Sequence, residues 1–159
     1  MKFICPLILV QDIAKSRYFY EVVLGQVVKY DFGEDVTFHG DFTIHLEEHF
    51  KKLISQDFDI EIKKRSNNFE LYFECENLTE IVNRLKDEGV KFLHEIREQP
   101  WGQRVMRFYD YDDHIVEIGE SMESVVTRYY KEGYSPEKIS KRTGLSIDFV
   151  IGALNEKNF

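Results

Sequence analysis

Two polar side chains stand inside strand-like, largely apolar segments, where each must have a partner or a use. Glu117 is the one polar residue in the segment 115–118, and a carboxylate there is costly to bury unless it is paired or coordinated. In the segment 42–46 the apolar side chains share one face of a strand, which leaves Thr43 and His45 on the other. An imidazole and a carboxylate in comparable strands mark the places where chemistry can be sought.

The predicted strands and helix that position these groups occur twice along the chain. Residues 3–25 read as a strand, a helix opened by an acidic residue and a terminal glycine, and residues 68–89 repeat that order. Each copy is followed by strand-like segments, which end near Glu47 in the first half and near Gly119 in the second. A repeat of about 65 residues is too long for a solenoid unit, so it predicts two duplicated modules that share one core.

Matched positions of two such modules would be brought together by a pseudo-two-fold axis. Asp12 can cap the first helix, and Asn77 or Thr79 can cap the second. Cys5 lies seven residues before Asp12 and Glu70 lies seven before Asn77, so alignment on these two residues makes them equivalent. The residues of the last strands, His45 and Glu117, are equivalent in the same way. If the sheet curls around a central cleft, four side chains converge in it: Cys5, His45, Glu70 and Glu117.

Composition favours a soluble cytoplasmic protein. The 159 residues include 13 Phe, 9 Tyr and one Trp, which suits strand-rich packing. The formal net charge of −8 argues against a nucleic-acid or anionic-membrane partner, because attraction to phosphate needs a concentrated basic face. The two cysteines favour a reducing compartment rather than a disulfide scaffold. There is no signal-peptide pattern, and no apolar run approaches the roughly 20 residues that a membrane helix needs.

Hydrophobic periodicity predicts the same secondary structure in both modules. The predicted strands of the first module are 3–10, 27–30, 36–39 and 42–47, and its helix is 12–24, ended by Gly25. The apolar stripe of that helix is predicted to be Ile13, Tyr18 or Phe19, Val22 and Val23. The predicted strands of the second module are 69–76, 91–96, 103–109 and 114–118, and its helix is 77–88, ended by Gly89. The polar bridge 48–68 has room for one short helix and is a natural place for a flap over a site.

The chain divides into a paired-module domain over 1–120, with modules at about 3–50 and 68–119, and a helical extension over 121–159. In the extension, Ser135 and Pro136 begin a helix and Gly144 separates it from the next one. That order invites comparison with helix–turn–helix proteins, but from Tyr134 onward the net charge is only about +1 and there is no basic stripe. We therefore expect the extension to be a packed appendage or a dimer contact rather than a nucleic-acid-binding domain.

The chain resembles the vicinal oxygen chelate superfamily, which includes glyoxalase I, extradiol dioxygenases, fosfomycin-resistance transferases and bleomycin-resistance binding proteins. The resemblance covers residues 3–119 and rests on three stretches: the opening FICPLILVQDIAKSRYFYEVVLGQVV, the hairpin PWGQRVMRFYDYDD and the closing RFYDYDDHIVEIGES. It implies an α+β fold in which tandem βαβββ modules form a curved mixed sheet with a central cup, here with a C-terminal helical appendage. It also implies a homodimer, because many members build each cup from two chains.

The resemblance implies a metal site at the four matched positions. Metal-dependent members place ligands there, so His45, Glu70, Glu117 and Cys5 are the candidate ligands of Zn²⁺, Ni²⁺, Mn²⁺ or Fe²⁺. Cys5 departs from the usual His, Gln or Glu, and a thiolate contribution would favour Zn²⁺.

In the enzyme that the resemblance implies, a glyoxalase-like lyase or dioxygenase-related protein, the metal chelates vicinal oxygens of a small substrate. Glu70 or Glu117 would then move a proton as the catalytic base. The alternative is a metal-free protein that binds a small molecule, as antibiotic-resistance members do. In either case the candidate substrate-binding residues are Tyr72, Trp101, Gln103 and Arg104, with Arg104 pairing an anionic substrate and Trp101 stacking.

Overall fold

A computed structural model describes residues 1–54 and 60–156 of the chain. The chain forms two compact units, which we describe separately. The first contains residues 1–69 and 109–114, and the second contains residues 70–108 and 115–159. Most of the first module lies in the first unit, and most of the second module lies in the second unit together with the C-terminal helices.

The first module is a four-stranded mixed sheet with one helical segment. Its strands are β1 (Leu7–Val10), β2 (Val28–Asp31), β3 (Asp35–Phe38) and β4 (Phe42–Leu46), in the order β1-β4-β3-β2. Strand β1 pairs with β4 in parallel, and the other neighbours are antiparallel. Aromatic and β-branched side chains fill the core, among them Phe19, Tyr20, Val36, Phe38 and Ile44. Thr37 faces Thr43 and Asp35 faces His45 across the ladder, so these polar residues share the face that alternation predicted.

The second module repeats this arrangement. Its strands are β5 (Glu70–Glu74), β6 (Lys91–Glu98), β7 (Arg104–Tyr109) and β8 (Ile115–Gly119), in the order β5-β8-β7-β6. The parallel pair β5–β8 places Tyr72 opposite Glu117. Since both sheets have the first strand beside the fourth and the same order beyond it, the duplication predicted from the sequence is confirmed. The α+β class with two βαβββ modules is confirmed with it.

The helices begin at side-chain caps and end at glycines, as the residue types at these positions predict. Asp12 accepts a hydrogen bond from the Lys15 N–H, and Asn77 accepts one from the Glu80 N–H at the start of helix α3 (Leu78–Asp87). Gly25 and Gly89 adopt φ values of +67° and +66°, which glycine reaches without the strain that a Cβ would add. These short-range features were predicted because they depend on neighbours in the sequence.

The first strand begins later than predicted. Residues 3–6 precede β1, and the side chains of Phe3 and Ile4 are exposed. Pro6 accounts for this boundary, because a proline has no N–H to donate to the ladder. Its carbonyl still accepts a hydrogen bond from the Thr43 N–H, and regular pairing starts one residue later at Leu7.

The first helix changes type halfway along. It begins as α1 (Ile13–Arg17) and continues as a π-helical segment, Tyr18–Val23, in which the Leu24 N–H donates to the Phe19 carbonyl. The buried residues of the two segments are Ser16, Phe19, Tyr20 and Val23. Of the predicted stripe, Val23 is buried, and of the alternatives Tyr18 and Phe19 it is Phe19 that is buried. Val22 is exposed, so that part of the prediction is wrong.

The loop of residues 109–114 belongs to the first compact unit, although it joins two strands of the second module. Its Asp112 accepts hydrogen bonds at 2.9 Å from the Gln11 N–H and the Ser16 hydroxyl. Its Asp110 accepts one at 2.7 Å from the Tyr20 hydroxyl. Burial, and then the charge of Asp110, raises the pKa of Tyr20 well above its usual value, so the tyrosine is a permanent donor at neutral pH.

The extension predicted to be helical contains α4 (Met122–Lys131), α5 (Pro136–Thr143) and α6 (Ile147–Glu156). Ser135 caps α5, Pro136 occupies its first turn, and Gly144 ends it with a left-handed conformation. The three helices bury a small apolar core of their own: Val125, Val126, Tyr129, Ile139, Val150, Ala153 and Leu154. The division into domains at 120/121 stays a prediction.

In the bridge between modules, helix α2 (Glu47–Ile54) follows β4 directly. The flap predicted for this bridge falls partly on residues 55–59, which lie outside the described residues. Within the described ranges, the helices are all too short or too polar to span a bilayer.

Candidate functional site

A cation holds two predicted site residues together on the second sheet. The guanidinium of Arg107, on β7, donates from Nε to Glu70 Oε2 at 2.9 Å and forms an ion pair through Nη2 with Glu117 Oε2. Its Nη1 also lies 3.3 Å from Nε2 of His94. Glu117 is 6% exposed, whereas the Arg107 side chain is 26% exposed and Glu70 reaches further into solvent. The two carboxylates that sequence equivalence selected in this module therefore meet at one guanidinium.

The buried carboxylate of Glu117 is only partly compensated. Burial raises its pKa above the usual value of 4.5, Arg107 acts in the opposite direction, and Glu70 raises it again by repulsion. Oε2 touches the guanidinium, but not in the geometry of a directed hydrogen bond. The attraction between Arg107 and Glu117 persists without a directed hydrogen bond, because a close contact between opposite charges does not need strict alignment. Glu117 therefore binds a proton more readily than an exposed glutamate does.

A chain of hydrogen bonds lies beside this ion pair. Trp101 donates through Nε1 to Gln103 Oε1 at 3.0 Å, and Gln103 Nε2 donates to the Tyr72 hydroxyl at 2.7 Å. Tyr72 in turn donates to Glu74 Oε1 at 2.9 Å. Gln103 is buried and also donates to the Glu120 carbonyl, so its amide orientation is set by three partners. We call Glu70, Tyr72, Glu74, Trp101, Gln103, Arg107 and Glu117 the polar face of the second sheet.

Gly119 leaves space for the hydrogen-bonded side chains of Gln103 and Tyr72. A Cβ added at Gly119 would lie 3.0 Å from Gln103 Nε2 and 3.3 Å from the Tyr72 ring. Burial, followed by the hydrogen bond to Glu74, raises the pKa of Tyr72 to about 12. Tyr72 is therefore a neutral hydrogen-bond donor at physiological pH and not a phenolate base.

The first sheet carries a different polar set. Cys5 Sγ lies 3.4 Å from the Thr43 hydroxyl, which lies 2.8 Å from the hydroxyl of Thr37 on β3. Cys5 is a partly buried free thiol. These contacts give the thiol an ordinary polar partner within its own module.

His45 lies between an acid and a second imidazole. Its Nδ1 is 3.4 Å from Asp35 Oδ2, without a hydrogen bond of good geometry, and its Nε2 is 2.9 Å from Nδ1 of His49 on α2. His45 is 5% exposed, so a polar nitrogen on a buried ring is left with one weak electrostatic contact.

The predicted site residues divide between the two units. Cys5 and His45 belong to the first, and Glu70 and Glu117 belong to the second. The convergence of all four in one cup therefore stays a prediction. Within residues 1–54 and 60–156, no three or more histidine, cysteine, aspartate or glutamate side chains are arranged so that they could hold a metal ion.

Three of the four predicted substrate-binding residues, Tyr72, Trp101 and Gln103, are joined by hydrogen bonds. Arg104 lies three residues before Arg107 on β7, so alternation directs it to the opposite face. There it lines a small cavity with Leu78 and Thr79 at the start of α3. Its role with an anionic substrate stays a prediction.

Sequence reasoning missed Arg107. The signal was present, because Arg107 is a lone charge between apolar residues of a strand, as Glu117 is on β8. It also missed Asp35 and His49 as neighbours of His45. Ladder register identifies Asp35, and the start of α2 directly after β4 identifies His49; neither can be read from residue types.

The family model of the glyoxalase-like domain matches residues 3–123 of the chain. The chain belongs to the glyoxalase-like domain family. This glyoxalase-like protein is accordingly part of the vicinal oxygen chelate superfamily, as its opening and closing motifs indicated. No curated protein matches it.

Solved structures share the fold of this glyoxalase-like protein. A protein of unknown function from Agrobacterium tumefaciens is 37% identical, covers 76% of this chain and 94% of its own, and superposes with a TM-score of 0.68. A lactoylglutathione lyase from the same organism is 16% identical, with coverages of 76% and 95% and a TM-score of 0.56. The fosfomycin resistance protein FosX of Mesorhizobium loti is 18% identical, with coverages of 76% and 92% and a TM-score of 0.54. The last two likenesses concern the fold alone.

Proposed function

We propose that this protein binds a small organic molecule on the polar face of the second sheet. The observation that carries the proposal is the hydrogen-bonded series Trp101–Gln103–Tyr72. Both aromatic rings are nearly half exposed, at 41% for Trp101 and 47% for Tyr72, although the amide that joins them is buried. Exposed rings held in fixed positions by a buried polar group are typical of ligand-binding surfaces, since little side-chain entropy is lost on binding.

The charge of the polar face favours a neutral or positively charged ligand. Its three carboxylates, Glu70, Glu74 and Glu117, outnumber the single guanidinium of Arg107, which gives a net charge of −2. Arg107 already contacts Glu70, Glu117 and His94. An anionic ligand would therefore meet repulsion with no free cation of the polar face to offset it.

If the bound molecule reacts, Glu117 is the group we propose as the proton acceptor. Burial raises its pKa above that of an exposed glutamate, and proton transfer becomes more efficient as the pKa of the base moves closer to the working pH. Tyr72, with its pKa of about 12, would donate a hydrogen bond to an oxygen of the ligand.

The single tryptophan makes binding directly measurable, because Trp101 lies in the proposed site. Its fluorescence is followed while EDTA-treated protein is titrated with benzylamine, benzyl alcohol or benzoate, which share a ring and differ in charge. We expect saturable quenching by the first two and the weakest response to benzoate. Tyr72→Ala and Gln103→Ala should weaken the binding, whereas Tyr30→Ala, at an exposed tyrosine of the first module, should not. Quenching that does not saturate, or that survives Tyr72→Ala unchanged, contradicts the proposal.

A metal-dependent glyoxalase-like lyase is the competing proposal. It is supported by His45, whose buried Nδ1 has no hydrogen-bond partner among the described residues and whose position matches a ligand position of the superfamily. On the second sheet the donor set does not fit a divalent cation as it stands, because Arg107 already binds both Glu70 and Glu117. Loss of benzylamine binding after EDTA treatment, with recovery on adding Zn²⁺ or Mn²⁺, would favour the metal-dependent protein.

With either function we propose a cytoplasmic homodimer that does not bind nucleic acid. The proposal rests on the superfamily resemblance and on the net charge of −8. Light scattering at micromolar concentration tests the dimer, and a mass of one chain would contradict it. A gel-shift screen against random duplexes at low salt tests whether the protein binds nucleic acid.

A further inference from the structure

We propose that Arg107 supplies, in this protein, the positive charge that a divalent metal supplies in metal-dependent members of the superfamily. The site on the second sheet is then charge-compensated by its own chain and works without a metal. This inference deepens the proposed function and rests on it for the location of the site.

The contacts place the guanidinium where a metal would need to be. A cation shared by two carboxylates must lie within reach of both, and Arg107 does so with Nε at 2.9 Å from Glu70 and Nη2 paired to Glu117. Both carboxylates stand at superfamily ligand positions. The same oxygen atoms, Glu70 Oε2 and Glu117 Oε2, would have to leave Arg107 before they could coordinate an ion.

The guanidinium is a permanent occupant. Arginine is not deprotonated in proteins, and although burial lowers the pKa of Arg107, the hydrogen bond to Glu70 and the charge of Glu117 raise it to a net increase. A divalent cation entering between the carboxylates would meet a positive charge a few ångströms away, and this repulsion opposes its binding. Displacing Arg107 instead would separate it from the buried Glu117, which is unfavourable for both partners.

The position of Arg107 on the sheet excludes an incidental surface pair. Its side chain reaches across the neighbouring strand, β8, to Glu70 on β5, so that one guanidinium links residues of three strands. The surface pair of Arg84 with Glu80, in contrast, joins two residues of one helix. That pair therefore provides a matched control with the same residue types.

Metal affinity of the protein and four variants tests the inference, with Zn²⁺, Mn²⁺ and Ni²⁺ alone as probes. The metal content of the purified protein is measured first, followed by calorimetric titration of the EDTA-treated protein. We expect no stoichiometric metal in the wild type, and the same in Arg107→Lys, which keeps the charge, and in Arg84→Met. Arg107→Met should bind at least one of the three ions about tenfold or more tightly than the wild type, because a repelling charge has been removed. The double variant Arg107→Met/Glu117→Gln should return to the wild-type affinity.

Stoichiometric metal in the wild type with a micromolar dissociation constant would overturn the inference, and so would Arg107→Met with an unchanged affinity in a folded protein. If Arg107→Met does not fold by far-ultraviolet circular dichroism, Arg107→Gln takes its place, and the wild-type titration decides by itself in either direction. Failure of the proposed function gives a different pattern. In that case the Trp101 fluorescence responds to no ring compound with or without metal, while the metal affinities still follow Arg107.

Discussion

The two modules have the same strand order but opposite arrangements of acidic and basic side chains on their last two strands. In the second module the acid, Glu117, is on the last strand, and its cationic partner, Arg107, is on the neighbouring strand. In the first module the group on the last strand is the imidazole of His45, and the neighbouring strand carries the acid, Asp35. The duplication has thus kept the positions of the polar pair while exchanging the chemical roles.

The two pairs also differ in how firmly they are held. Arg107 makes close contacts with two carboxylates, one of them deeply buried. His45 lies 3.4 Å from an Asp35 side chain that is 26% exposed, and its other nitrogen contacts His49 rather than a charged group. We infer that the second module depends on its polar pair for stability, whereas the first module tolerates changes in its pair.

Removing the cation of the second module should have the largest effect. Arg107→Met leaves Glu117 buried without its partner, and we expect the free energy of unfolding in urea to fall by about 3 kcal/mol. Arg84→Met, which removes an exposed helix pair, should change it by no more than about 0.5 kcal/mol. Equal losses in the two variants would show that the Arg107 pair behaves as a surface salt bridge.

The equivalent change in the first module should cost less. His45→Gln removes the ring contact with His49 but leaves Asp35 hydrated, so we expect a loss of about 1.5 kcal/mol in the same urea assay. His39→Gln, at an exposed histidine of the same module, serves as the control. A loss for His45→Gln as large as that for Arg107→Met would remove the asymmetry between the modules.

Gly119 distinguishes the modules at the position two residues after the polar group, where the first module has Glu47. A Cβ at Gly119 would crowd Gln103 and Tyr72, so Gly119→Ala should destabilise the protein by about 1 kcal/mol and change the Trp101 emission. Gly152→Ala is the matched control, because a Cβ there meets nothing within 4 Å and the helix gains stability. Unchanged emission in Gly119→Ala would mean that the Trp101–Gln103–Tyr72 chain adapts freely.

The smallest effect concerns pH. Because burial raises the pKa of Glu117 in the folded protein, the folded state binds this proton more tightly than the unfolded state. The contribution of Glu117 to stability is then most favourable below its unfolded pKa and declines as pH rises through the folded value. Relative to Glu117→Gln, the wild type should therefore lose urea stability as the pH rises above about 4.5. A difference that grows in favour of the wild type over this range would reverse the assigned direction of the pKa shift.

Local chemistry in the sequence accounts for much of the fold. Asp12, Asn77 and Ser135 cap their helices as predicted, and both modules have the predicted four strands. Prediction failed where a feature depends on more than its neighbours. The first helix buries the face of Phe19, Tyr20 and Val23 and leaves Val22 exposed, and the missing N–H of Pro6 delayed the first strand.

For the candidate site, the equivalent positions of the two modules can be found from the sequence alone. A duplicated chain repeats its caps and strand alternation, and these can be counted, so Glu70, Glu117 and His45 could be selected from residue types alone. The partners of these groups were decided only by the tertiary structure, because ion pairing depends on the order of strands in a sheet and on the reach of side chains across it. Arg107 is 37 residues from Glu70 in the chain and 2.9 Å from it in the fold. Because the fold brings Arg107 this close, the cation that pairs with the carboxylates of the second module is a guanidinium.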